Sequence, residues 1–216
     1  MKLKTTICCL ATLLLSGLFT TSFSQTLKDV FSNSETPMVY LGVDFSKAKL
    51  MTSGNPDEIR NRLYSSINYL IITEPKKYDL AGAFHKGIVN NDISVTNAVN
   101  EKANINEILS SNSADFNRLK ESDILAMVKE FDLKGKSGIG LVFMMEAMRK
   151  IDKKADAAIW VTFIDMKTKK VLMTERIENK VSGGIGFRNY WASSIKNLIE
   201  TIEKKKYKEW QAKFSN

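Results

Sequence analysis

GIGLVFMMEAMRK (Gly138–Lys150), AAIWVTFID (Ala157–Asp165) and KKVLMTERIENKV (Lys169–Val181) follow one another with only short polar connections. Their apolar runs predict three strands, roughly 139–150, 157–165 and 170–181, after a glycine-containing turn. Asp165-Met-Lys-Thr-Lys-Lys170 is a tight polar turn between two apolar runs, the pattern of a hairpin. Together the three strands form an antiparallel meander, which decides the fold class.

Upstream, PMVYLGVDF (Pro37–Phe45) carries apolar residues on both faces and reads as a buried strand. A helix follows with Asn55 as N-cap, Pro56 at the first helical position and Glu58 completing a capping box. Ile59, Leu63, Ile67, Leu70 and Ile71 form its apolar stripe, and Glu74-Pro75 ends it. Residues 88–99 alternate through Val89, Ile93 and Val95 and read as a second strand. A short helical piece lies near 105–110. A better helix covers about 123–131, with Ile124, Leu125, Val128 and Phe131 facing inward.

Downstream, SGGIGFRNYW (Ser182–Trp191) joins the last strand to a long final helix beginning near Asn189, the expected cap. Gly183, Gly184 and Gly186 permit positive φ there, so the stretch reads first as a hinge. It reads second as a binding patch. Arg188 would supply a planar cation and Tyr190 an amphipathic ring, while Trp191 anchors the helix to the core. In the final helix Trp191, Ile195, Leu198 and Ile202 form one stripe. Tyr207, Trp210 and Phe214 form another, but Ile202 to Tyr207 is five residues, roughly 140° around an α-helix. The second stripe therefore leaves the first face unless the helix bends near Lys204, Lys205 and Lys206. It covers another part of the core, or it presents Trp210 ringed by those lysines to a membrane surface or partner.

The chain starts with MKLKTTICCLATLLLSGLFTTSFSQ, a basic start, an apolar run and a small-residue end. Residues 1–24 read as a secretory signal, removed before Gln25. Cys8 and Cys9 lie too early to be lipidated, so an exported protein without a lipid anchor is expected, periplasmic or secreted. The expected mature chain holds no cysteine, which removes disulfides, thiolate metal sites and cysteine nucleophiles. It also holds no membrane span. Residues 25–36 are polar and weakly patterned, a flexible lead-in, and residues 37–216 make one domain. The signal takes two of the 32 basic residues and none of the 24 acidic ones, leaving a net charge of +6. For an exported chain that excess points to another envelope protein or an anionic envelope surface, and not to nucleic acid.

Chemistry is sparse. Gly135-Lys136-Ser137 resembles the end of a phosphate-binding loop, but the earlier glycine that motif needs is Glu130. His85 is the only histidine, which excludes multi-histidine zinc sites. It would need Asp79 and a serine to act in a hydrolase, and no nucleophile elbow is present. Asp44 and Asp165 are the candidates for a carboxylate pair acting on wall or glycan material, although Asp165 is more simply a turn former. A carrier of small ligands is a third class, recognisable by an apolar pocket. No catalytic residue, metal or cofactor is assigned.

The segments GIGLVFMMEAMRK, AAIWVTFIDMKTKKVLMTERI and GGIGFRNYWASSIKNLIE resemble a family of uncharacterised exported proteins from Bacteroidota-type bacteria, most specifically in GFRNYW before a helix. A more distant likeness of element order is to the amino-terminal domain of the Tol translocation component TolB, the penicillin-binding-protein activators and the curli-export lipoprotein. That likeness implies a compact domain that binds envelope proteins without catalysis. The expectation is thus an α/β (α+β) domain with a single mixed or antiparallel sheet, the C-terminal meander, helices mainly on one face and a long C-terminal helix. Its function is macromolecular recognition in the cell envelope.

Overall fold

A six-stranded mixed sheet organises the computed structural model, which describes residues 26–215. The strands are β1 (Met38–Asp44), β2 (Lys49–Met51), β3 (Val89–Asn91), β4 (Ile139–Ile151), β5 (Lys154–Asp165) and β6 (Lys170–Lys180). Their order is β3-β1-β4-β5-β6, and β2 pairs with β4 beyond the end of β1. β1 runs parallel to β3 and β4, whereas β4, β5 and β6 form the antiparallel meander. The Asp165 carboxylate accepts from the amides of Lys167 and Thr168, which closes the second hairpin of that meander. β4 is buried on both faces over its first ten residues, so it reads as a continuous apolar run. Leu141, Phe143 and Met145 enter one core, and Val142 and Met144 the other.

The larger helical layer contains α1 (Leu27–Ser32), α2 (56–73), α3 (Leu80–Ala83) and α6 (186–214). The smaller layer on the opposite face contains α4 (Ser94–Asn100) and α5 (Glu121–Lys129). Asn55 caps α2 by accepting from the amides of Asp57 and Glu58, with Pro56 in the first turn. The Glu58 carboxylate does not complete the capping box; it pairs with Arg62 one turn on. No described helix is long and apolar enough to cross a membrane. The signal reading, with Cys8 and Cys9, falls outside the described residues.

Several local expectations are corrected. The supposed lead-in is helix α1, closed by a capping box between Thr26 and Asp29. Its Phe31 is fully buried and meets the rings of Phe163, Tyr207, Trp210 and Phe214. Only three residues of 88–99 form a strand, and from Ser94 the stretch is helix α4. The reason is polar. Past Tyr40, β1 has no strand neighbour on its β3 side, and side chains complete its ladder instead. Thr96 donates to the Leu41 carbonyl, Asn100 spans Val43 and Phe45, and Asn68 of α2 bonds both backbone groups of Val43. Gly42, at φ +98°, makes room for them, since a Cβ there would lie 2.3 Å from the Thr96 hydroxyl. On α5, Leu125 faces outward and Met127 inward.

Candidate functional site

The glycine stretch projects one aliphatic side chain into solvent. Ile185 is 92% exposed and lies between Gly184 at φ +98° and Gly186 at φ +76°. Ile185 is the N-cap of α6, which starts at Gly186 and has no side-chain cap bond. Asn189 is not the cap; its side-chain Oδ1 accepts from Arg188 Nε. The loop is anchored behind, where Ser182 donates from its amide to Ser193 and its hydroxyl meets Asn197. Arg188 is exposed, and among the described residues no carboxylate pairs with it. It shares a cleft of about 360 Å³ with Phe187, Arg62 and Glu58. Tyr190 is half-buried, with the Lys150 ammonium 5.3 Å from its ring centroid. Trp191 is a core residue, so it leaves the list of surface contacts.

The second expected patch is also corrected. Trp210 and Tyr207 are buried, and Trp210 donates from Nε1 to Glu175 at 2.6 Å. Lys204 pairs with Glu200, Lys205 with Glu209, and Lys206 with Glu175 and Glu209. The lysines therefore face carboxylates of their own chain, with no exposed aromatic among them.

The remaining candidates separate in space. His85 is exposed at φ +50° and stacks on Tyr207 at 4.1 Å between centroids. Asp79 accepts from the Gly82 amide as the cap of α3 and makes no bond to His85. Lys136 pairs with Asp92, so Gly135-Lys136-Ser137 is a turn with an ion pair. Among the described residues no cluster of His, Cys, Asp and Glu is placed to hold a metal ion.

Asp44 differs from all of these. It ends β1, is 1% exposed, and one carboxylate oxygen accepts from the Ser46 amide. The other oxygen is buried without a hydrogen-bond partner. Burial pushes its carboxyl above the ordinary carboxylate range, against the opposing effect of the Ser46 hydrogen bonds and Lys47. Asp44 lines a hollow of about 680 Å³ between the end of β1, the end of α4 and α5. Such a position, outside the carboxyl end of a parallel strand, is a common ligand site in open sheets.

Sequence reasoning missed two further residues. Glu146, inside the apolar run of β4, is fully buried and accepts four bonds. They come from the amides of Arg118 and Leu119, Trp160 Nε1 and Arg176 Nε. A lone carboxylate in FMMEAM was the available signal. Arg118, the second, lines the Asp44 hollow and donates to the Lys47 carbonyl.

No family model and no curated protein matches the chain. Among solved structures it has a weak likeness to a hypothetical protein of Chlamydia trachomatis, with 10% identity, 84% of this chain and 96% of the other covered, and a TM-score of 0.35. A homologue of neuraminyllactose-binding hemagglutinin from Helicobacter pylori matches at 9% identity, 85% and 90% coverage and a TM-score of 0.32. The C-terminal domain of LpoB from Salmonella enterica matches at 10%, 71% and 94%, with a TM-score of 0.26.

Proposed function

We propose that this chain is an exported, non-enzymatic binding protein of the bacterial cell envelope. It engages an acidic segment of another envelope protein through Ile185 and the first turn of α6 as far as Tyr190. The observation that carries this reading is the pairing of Ile185, 92% exposed, with Arg188, whose charge is unanswered within the described residues. An aliphatic anchor beside a guanidinium without a carboxylate partner is a combination that protein interfaces use, apolar contact giving affinity and the fork giving orientation. Arg62, in the same cleft, adds positive charge, although Glu58 already holds it. The excess of basic over acidic residues supports an acidic partner. Export rests on the pattern of residues 1–24.

A photo-crosslinking residue placed at Ile185 in living cells tests the reading. A discrete adduct is expected, lost in the Arg188→Ala background and absent when the probe sits at Leu125. Equal adducts from both positions, or an adduct indifferent to Arg188, refute it. Fractionation of the same cells, with the amino terminus of the recovered chain determined, tests export and the start at Gln25.

A further inference from the structure

Seven side-chain atoms among the described residues are buried without a hydrogen-bond partner, and only two belong to formally charged groups: Asp44 Oδ2 and Arg118 Nε. Both residues line the same hollow of about 680 Å³. Buried polar atoms are almost always satisfied, so each orphan asks for a partner that the chain does not supply. Here the two orphans are opposite in kind. Asp44 offers an acceptor and Arg118 a donor.

The walls fit this division. Lys47 and Lys102 add positive charge, while Val99, Leu119 and Met127 supply apolar surface. Glu107, Asp123 and Glu130 also border the hollow, but Glu107 is drawn toward Lys49 and Asp123 accepts from the Lys120 amide. The volume lies within the range of about 300–1,000 Å³ typical of small-molecule sites.

We infer that this hollow is a binding site for a small zwitterion, an amino acid or short peptide, whose ammonium meets Asp44 and whose carboxylate meets Arg118. The ammonium donates to the orphaned carboxylate oxygen, and the carboxylate accepts from the guanidinium, a charge-assisted pair. Because Asp44 Oδ2 is closed to water, binding involves a small opening where Arg118 is tied to the Lys47 carbonyl. The site borders the α4–α5 layer, across the sheet from α6. It therefore stands or falls independently of the loop at Ile185.

The test uses alanyl-alanine, its N-acetyl form and its carboxy-amide form, titrated against the exported chain by calorimetry and by amide NMR. Alanyl-alanine is expected to saturate with shifts at Val99, Leu119 and Met127. N-acetylation and amidation should each weaken binding at least about tenfold, and Asp44→Asn should do the same for the unmodified dipeptide. Should Asp44→Asn fail to fold, the two blocked dipeptides still read the two charges separately. No saturable shift at these three residues with alanyl-alanine up to about 10 mM overturns the inference. Equal binding of the three peptides overturns it as well.

Discussion

The Tyr207 amide donates to the carbonyl of Ile202, five residues back instead of four. That bond closes a π-turn over Ile202–Lys206, and it absorbs the phase error between the two apolar stripes of the last helix. One extra residue in the turn brings Tyr207 and Trp210 onto the face already used by Trp191, Ile195, Leu198 and Ile202. All of them join one core. The same device occurs in α2, where Tyr64 donates back to Ile59 and stacks on Phe45 with ring centroids 4.4 Å apart.

Deleting Lys205 would convert the π-turn into ordinary helix while keeping Tyr207 on the core face, four residues after Ile202. Such a variant should remain folded, with a melting temperature within several degrees of the parent. Deleting Lys208 instead pulls Trp210 and Phe214 out of phase with Tyr207. The cost expected is that of losing large buried side chains, about 3–5 kcal/mol. Thermal unfolding of both deletions by circular dichroism makes the comparison, and equal losses would count against the re-phasing role.

Glu146→Ala removes the acceptor of two amides, an indole N–H and a guanidinium at once. Arg176 keeps Glu178 as a partner, but two amides and an indole N–H are left without their acceptor, so a loss of about 3–5 kcal/mol is expected. Arg149 packs over Phe116 at 3.7 Å and belongs to the same neighbourhood, so the loop holding Phe116 should loosen. Urea denaturation reads the stability, and hydrogen exchange at Arg118 and Leu119 reads the loop.

Asp44 supplies a pH test. Its folded pKa is raised by burial, so between the ordinary carboxylate value and that raised value the folded state binds more protons than the unfolded one. Its contribution is then complete at low pH and is lost as pH rises through the folded pKa. Asp44→Asn escapes this ionisation. Relative to the parent it should be more stable at pH 7 than at pH 3.5, measured as the shift in denaturation midpoint at each pH. A difference independent of pH would show that the carboxyl titrates alike in the folded and unfolded chains, with no shift from burial.

Gly184 and Gly183 separate crowding from backbone conformation. Both sit at positive φ, but a Cβ on Gly184 would meet the Asn189 carbonyl at 2.5 Å, while none lies within 4 Å at Gly183. Gly183→Ala should therefore cost about 1–2 kcal/mol, from the left-handed conformation alone. Gly184→Ala should cost more and displace Ile185. Melting curves of the two variants, read beside the crosslinking yield at Ile185, check the order.

The hairpin chemistry was legible because it is local. The meander, the Asn55 cap and the turn at Asp165 each depend on residues a few positions apart, and they stand where the chain places them. The stretch 88–99 was not legible. Its alternation mimics a strand, and the hydrogen bonds that make it helix run from Thr96 and Asn100 to β1, more than fifty residues away. The Asp44 hollow was invisible for the same reason, since its walls come from three separate parts of the chain. Asp44 stood out only as an acid on the first strand, a candidate to pair with Asp165.

What the sequence determined by itself was periodicity: which runs bury two faces, where helices start and where the chain must turn. Only the tertiary structure decided what the polar lead-in and the last aromatic stripe are for. Phe31 of α1 is enclosed by Tyr207, Trp210 and Phe214, about 180 positions later, and the Phe31 carbonyl accepts from Gln211. A six-residue helix is too short to persist by propensity, so its existence depends on that distant contact.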